Sequence, residues 1–272
     1  MILIFTGAMD YPVALMLRQA WCSPDIRRKN KLMNLERVLE PEVMDTLAEA
    51  HDYDCMDHNG VNQTFVTDLL LAGDVGTKVL DLGTGTAQIP VVLCQQDPHC
   101  RVMGIDLAAH MLDLARYNIE VEGLTDRIFL QQIDSKDLSM ESESFDTVMS
   151  NSIIHHIPEP LVALTEAVRV ARVGGLLFFR DLMRPATAEQ VVTLVQQYAG
   201  EENEHQQQMF DDSLRAALSL AEIRHLISSL DLTTQWCRPA AIAIGLGSRV
   251  NRCLEGVSHR KCWSTDGSRI NG

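Results

Sequence analysis

Between Thr77 and Asp181, short apolar, β-branched runs alternate with longer stretches whose apolar residues recur at helical spacing. The runs near 77–82, 101–106, 128–133, 145–150 and 175–180 predict five strands. The intervening stretches Thr86–Gln96, Ala108–Glu122 and Pro160–Ala171 predict helices, the second with Met111, Leu112, Leu114, Ala115 and Ile119 at apolar positions. Such an alternation builds a mostly parallel sheet with helices on both faces. Right-handed crossovers carry every strand's carboxyl end to one edge, where open α/β sheets bind ligands.

Upstream, Glu42–Ala50 and Val61–Leu71 read as N-terminal helices flanking the polar segment Asp52–Gly60. Downstream, Thr187–Ala199 and Gln206–Leu220 read as a helical insertion after the fifth strand, joined by the charged loop Gly200–Glu204. Two uses are open for these helices: a lid over the sheet edge, or surface helices packed for stability alone. Before Met33 and beyond about Trp236 the periodicity is lost, and the tail carries Arg249, Arg252, Arg260, Lys261 and Arg269 among Gly and Ser. The expected organisation is a segment 1–32 outside the pattern, a domain over 33–235 and an atypical tail over 236–272. Within that domain the core spans 77–182 and the insertion lies near 186–218.

Composition narrows the function. The 272 residues are 46% hydrophobic and 22% charged, enough apolar material for a full core. A formal net charge of −14 leaves no broad cationic surface for a phosphate backbone, so a small-molecule substrate is expected and nucleic acid is not. Seven cysteines, at 22, 55, 94, 100, 237, 253 and 262, include no Cys-x-x-Cys pair. That pattern suggests neither a disulfide framework nor a zinc site, and no metal is expected; a reducing cytoplasm is the simpler setting. Met1–Phe5 is apolar, but Asp10, Pro12 and Arg18 interrupt it before the roughly 20 apolar residues of a membrane span. It also lacks the basic opening of a secretory signal.

The chemistry concentrates at the strand ends. Gly83 and Gly85 sit where the first strand turns into its helix, and the missing side chains let backbone N–H groups approach a ligand. Asp106 ends the second strand in Val102-Met103-Gly104-Ile105-Asp106, placed to accept both hydroxyls of an adenosine ribose. Each such bond to a charged acceptor contributes about 1.5–3 kcal/mol. Gln88 stands where a dinucleotide fingerprint has its third glycine, and Asp81 would face pyrophosphate charge, yet suits a ligand carrying an ammonium and a sulfonium. Asp134 follows the next strand and can reach an adenine's exocyclic amine. A lone aspartate at a turn is commonly a solvated group or a helix cap; three at successive strand ends point to a ligand.

Taken in order, Leu80-Asp81-Leu82-Gly83-Thr84-Gly85-Thr86, Gly104-Ile105-Asp106, Ile133-Asp134-Ser135, Phe145–Asn151 and Val173-Gly174-Gly175-Leu176-Leu177 resemble the successive motifs of the class I S-adenosylmethionine-dependent methyltransferase family, of small-molecule type. The resemblance implies an α/β, doubly wound Rossmann-like fold, with S-adenosyl-L-methionine as cofactor and S-adenosyl-L-homocysteine as its product. Carried over by position, Asp81, Gly83 and Gly85 hold the methionine part, Asp106 the ribose and Asp134 the adenine. Thr84, Leu107, Met111, Ser135 and Asn151 complete the expected cofactor-binding set. The family also closes its sheet with an antiparallel hairpin, for which only Leu232–Arg238 and Ala240–Leu246 are available.

Methyl transfer is an in-line displacement on carbon already activated by the sulfonium, so alignment can supply about 7–11 kcal/mol of the barrier. A base is needed only where the acceptor keeps its proton. His155 and His156, in the loop Ser150–Pro158 that lies over the methyl group in the family, are the catalytic candidates. Either could instead pack beside the helix starting near Pro160. Asp57, His58, Arg180, Asp181 and Arg184 are the next polar groups expected near the pocket, the arginines for a substrate anion or for ion pairs with neighbouring acids. Two other functions stay open: a non-catalytic S-adenosylmethionine-binding or partner-activating protein, and a nicotinamide oxidoreductase.

Overall fold

The computed structural model describes residues 2–5, 35–41, 46–55, 59–230 and 241–244. In chain order the elements are β1 (Ile2–Phe5), α1 (Leu47–Cys55), α2 (Asn59–Ala72), β2 (Lys78–Leu82), α3 (Gln88–Gln96), β3 (Arg101–Asp106), α4 (Ala109–Val121) and β4 (Ile128–Gln132). They continue with β5 (Phe145–Asn151), α5 (Pro160–Val170), β6 (Ala171–Asp181), α6 (Ala188–Ala199), α7 (Glu204–Ala216), α8 (Leu220–Ser229) and β7 (Ala241–Ile244). The sheet order is β1-β7-β6-β5-β2-β3-β4, and every pairing is parallel. The doubly wound, Rossmann-like class is therefore the observed one.

The period-2 geometry of strands sends alternate residues to two cores. Val79, Val102, Met149 and Phe178 pack with Phe65, Leu69, Leu93 and Ala115 of α2–α4, and the Phe65 and Phe178 rings meet edge-on at 5.0 Å. Leu80, Leu82, Ile105, Val148, Leu177 and Phe179 pack on the opposite face with Ala163, Leu164 and Ala167 of α5 and Ile223 and Ile227 of α8. β2 is thus buried on both faces after its first residue. β3 and β4 lie on one side of β2 and β5 on the other, so strand order reverses at β2, the place where α/β sheets open a ligand crevice.

Several boundaries differ from expectation for identifiable reasons. The polar segment after Ala50 is not a loop: α1 runs through Asp52, Tyr53 and Asp54, turning Ala50 and Tyr53 inward at i, i+3. Residues 42–45 lie outside the described residues. The expected helix Gln206–Leu220 is two helices, because Ser219 and Glu222 form a capping box that starts α8. The glycine turn before the fifth strand is a bulge inside β6, where Phe145 pairs with Ala171 but Thr147 with Leu176, and Gly174 takes φ 73.

At the far edge, Ala241–Ile244 runs parallel to β6 rather than as half of an antiparallel hairpin, and Ile2–Phe5 pairs parallel outside it. A strand reached through intervening helices re-enters the sheet from the same end, which makes it parallel. Residues 231–240 lie outside the described residues, as does most of 1–34. Among the described residues no helix is long and apolar enough to cross a membrane.

Gln88, at the position of the missing glycine, holds the N-terminal helices onto this frame. Its amide donates to Asp54 Oδ1 at 3.0 Å and its carbonyl accepts from Asn62 Nδ2 at 3.0 Å, while Asn118 Nδ2 also reaches Asp54 at 3.1 Å. Gln88→Ala should lower stability by about 1–2 kcal/mol, read as a lower urea midpoint, with faster amide exchange in α1; an unchanged midpoint and unchanged exchange would contradict the role.

Candidate active site

One cavity of about 460 Å³ opens at the carboxyl edge of the sheet, over the β2–β5 reversal. Its floor comes from the strand-end loops, including Gly83, Gly85, Asp106, Asp134 and Asn151. Its walls come from Tyr53 of α1, Asn62 of α2, Tyr198 of α6 and Met209 and Phe210 of α7. The flanking helices thus wall the cavity and are more than surface packing.

The loop after β2 is shaped by what sits above it. Gly83 has φ 68, and a Cβ there would lie 2.5 Å from Ile153 Cδ1; Gly85 has φ 53, with the Tyr53 ring 3.8 Å from where its Cβ would be. Both conformations favour glycine. Thr84 N–H donates to the Ile105 carbonyl at 2.9 Å, and Gly85 N–H to Asp106 Oδ2 at 2.9 Å, which ties the turn to the end of β3. Asp106 Oδ1 accepts from Ala108 N–H at 2.9 Å, fixing the carboxylate at the cavity floor. α3 begins after Ala87 with no side-chain cap, so its first amides are open on that side.

Asp81 is the exception in a buried strand. It is 2% exposed, and among the described residues no cation pairs with it. Burial pushes its carboxyl up to about 7, the Thr84 hydroxyl pulls the other way, and the Asp106 charge adds to the rise. Tyr53, facing Asp106, Asp81 and Asp54, is pushed up to about 12, by burial first and by those charges second.

Of the expected cofactor-binding residues, Gly83, Gly85, Asp106, Leu107, Met111, Asp134, Ser135 and Asn151 line the cavity. Asp81 and Thr84 do not line it; Asp81 lies within β2, and the Thr84 side chain packs against Gly104. Asp134 accepts from Lys136 N–H at 2.9 Å and pairs with Lys136 Nζ at 3.1 Å.

His155 and His156 stand at the other end of the cavity, their rings 4.2 Å apart. Asp181, at the end of β6, organises their loop: it accepts from Ile154 N–H at 2.6 Å and Leu182 N–H at 2.6 Å, and its Oδ1 lies 2.5 Å from His155 Nδ1. Burial opposes charge on His155, but the Asp181 and Glu40 carboxylates outweigh it and raise the imidazole above its ordinary value. Conversely, burial and then the His155 charge push His156 down to about 3.

The expected arginine cluster divides into ion pairs. Arg180 lines the cavity but is paired with Asp68 and lies over the Phe65 ring, while Arg184 grips Glu222 at 2.8 Å and the Ala217 carbonyl at 2.8 Å. Asp57 and His58 lie outside the described residues.

The sequence reading missed the stretch 35–41. Arg37 donates to the carbonyls of His155 at 3.0 Å, Ile157 at 3.1 Å and Ala216 at 2.7 Å, strapping this stretch across the histidine loop and α7. Glu40 follows, with Oε1 3.5 Å from His155 Nε2 and 3.2 Å from His156 Nδ1. No local periodicity or spacing marks these residues, whose partners are distant in sequence.

A parallel sheet with acids at successive strand ends around one cavity defines a nucleoside-cofactor domain of the doubly wound class. Residues 80–179 match the family described as methyltransferase domain. Methyltransferase GfsG of Streptomyces halstedii is 30% identical over 156 residues, 57% of this chain and 52% of that protein. Phosphatidylethanolamine N-methyltransferase of Cereibacter sphaeroides is 36% identical over 100 residues, 37% of this chain and 48% of that protein. The chain spans about half the length of these curated relatives. Among solved structures, the plantazolicin methyltransferase BpumL in complex with S-adenosylhomocysteine (SAH) aligns with TM-score 0.53 and 16% identity over 78% of this chain and 71% of that one, a likeness of fold. Residues 80–179 are thus a methyltransferase domain by their family match.

The buried acid has a measurable consequence. Asp81 is neutral in the fold up to about pH 7 but ionises near 4 once unfolded, so its contribution to stability is complete below pH 4 and is lost as pH rises to about 7. Asp81→Asn should therefore melt at least about 2 °C above the parent at pH 8 and match it near pH 4; a parent melting higher at pH 8 would contradict the assignment.

Proposed function

We propose that this protein transfers the methyl group of S-adenosylmethionine to a small-molecule acceptor by in-line displacement. The observation carrying this reading is the pair of acids that follow β3 and β4 into one cavity of about 460 Å³, Asp106 and Asp134, with Asp81 buried in β2 and within electrostatic reach of Asp106. That volume is in the range of small-molecule sites.

In this reading Asp81 ionises against the methionine ammonium, with Gly83, Thr84 and Gly85 shaping the turn over it. Asp106 accepts the ribose hydroxyls, and Asp134 and Ser135 meet the adenine edge. Leu107 and Met111 pack on the ring and Asn151 borders the methionine arm. The methyl group then points to the histidine end, where Tyr198, Met209 and Phe210 leave an apolar space for the acceptor and keep water out.

His155 and His156 are the catalytic pair, with His155 Nε2 taking the proton the acceptor loses as its new bond to carbon forms and the carbon–sulfur bond breaks, and His156 packed beside it. Asp181 fixes the His155 ring, so Nε2 is the atom turned towards Glu40. The paired state of Arg180 and Arg184 supports an acceptor without an obligatory anionic group. The scattered cysteines favour a cytoplasmic setting, and the charge of −14 disfavours a nucleic-acid acceptor.

Incubation with methyl-labelled S-adenosylmethionine and a metabolite panel should yield SAH and a labelled product heavier by one methylene. His155→Ala should then reduce turnover about 10²–10⁴-fold while changing SAH affinity less than about threefold. Tight SAH binding without label transfer to any metabolite would overturn the reading in favour of a binding protein, and full turnover in His155→Ala would remove the histidine role.

A further inference from the structure

We propose that Glu40, His155 and His156 form a binding site for one divalent cation of borderline character, of the Zn²⁺ type, at the acceptor end of the cavity. The sequence offers no sign of it, because the carboxylate comes from the strap at 35–41 and meets the adjacent histidines only in the fold. One ligand atom from each residue lies within 4.8 Å of the other two. Two of the separations, Glu40 Oε1 to His156 Nδ1 at 3.2 Å and to His155 Nε2 at 3.5 Å, match the edge of a tetrahedron about a cation. With metal–ligand bonds of about 2.0–2.1 Å that edge is about 3.3 Å.

Two of these atoms, Glu40 Oε1 and His156 Nδ1, are buried and make no hydrogen bond. Such atoms are costly without a partner, and a shared cation would satisfy both. The far sides of the ligands are already held. Asp181 binds His155 Nδ1 and leaves Nε2 for the metal, the carboxylate–histidine arrangement that orients metal ligands. Ser213 Oγ donates to Glu40 Oε2 at 3.3 Å and leaves Oε1 turned towards the histidines. His156 meets the Pro41 carbonyl through its ring.

Two imidazoles and one carboxylate suit a borderline transition metal, whereas Mg²⁺ and Ca²⁺ take oxygen ligands. A site with three protein ligands keeps a position for a further one, and His155, His156 and Ser213 all border the acceptor space. An oxygen donor of the small molecule would fill it and be polarised there, losing its proton to solvent, so that with the cation bound the two histidines serve as ligands in place of the proton acceptor. The metal site stands on the cluster geometry alone; only this use of it rests on the methyl-transfer reading.

Titration of the full-length protein with CoCl₂ tests the site, since Co²⁺ in a tetrahedral nitrogen and oxygen environment absorbs in the visible. Bands saturating at one equivalent and abolished by Zn²⁺ are expected. Glu40→Gln and His156→Ala should each weaken Co²⁺ at least about tenfold, and Asp181→Asn about 10–100-fold. His205→Ala, on the surface beside Asp52, should leave it unchanged. A cooperative melting transition confirms that each variant folds; a variant that does not fold is replaced by Ser213→Ala, expected to weaken Co²⁺ more modestly. No visible band in the parent protein, bands insensitive to these substitutions, or sulfur charge-transfer bands placing the ion on Cys94 and Cys100, would each overturn the proposal. SAH raising the melting temperature while Co²⁺ fails to bind removes the metal alone and leaves the methyltransferase reading intact.

Discussion

A carboxyl group buried within the central strand is the constraint around which this molecule is arranged. Asp81 is flanked by Leu80 and Leu82, both buried, and no described cation neutralises it. Desolvation of an unpaired carboxylate is costly enough that the group takes up a proton instead. The fold therefore carries an acid primed to ionise when a positive charge arrives. Around it, the turn at Gly83–Gly85 is tied to the end of β3 by the Thr84 N–H bond to the Ile105 carbonyl and the Gly85 N–H bond to Asp106. The proposed methyl donor carries its ammonium to this end.

The second half of the cavity depends on another buried acid with the opposite behaviour. Asp181 accepts backbone N–H groups and holds His155; burial alone would raise its carboxyl, but those partners bring it below the usual carboxylate range. One acid is held neutral by burial without a cation, and the other is held charged by the imidazole and N–H groups around it. The contrast divides the cavity chemically. One end holds an unpaired buried acid, which the proposed reading sets against the cofactor's ammonium; the other presents imidazoles and the Glu40 carboxylate to the cavity. The Arg37 bonds to the His155, Ile157 and Ala216 carbonyls lock the strap that delivers Glu40.

The strands and the strand-end residues that floor the cavity were largely legible in the sequence. β2 to β5 are apolar runs bounded by turns, and Asp106 and Asp134 fall at or just past the ends of β3 and β4, which share one edge of a parallel sheet. Helix boundaries were less so. α1 hides behind the polar run Asp52-Tyr53-Asp54, with Ala50 and Tyr53 as its apolar contacts among the described side chains, whereas the start of α8 was marked by Ser219 and Glu222 and could have been read from their spacing. Gln88 signalled only what the fold was not; its positive role required knowing that Asp54 and Asn62 pack beside it. Arg37 and Glu40 had no signal, since contacts between residues distant in sequence follow from the fold and leave no spacing behind.

The central claim is that this sheet edge holds a nucleoside bearing a methionine tail and rejects a dinucleotide. Parallel thermal-shift titrations at pH 8 with SAH and with NADH test it most directly. The account predicts a concentration-dependent rise in melting temperature with SAH, following mass action, none with NADH, and loss of the SAH effect in Asp106→Ala. A rise with NADH and none with SAH would contradict it.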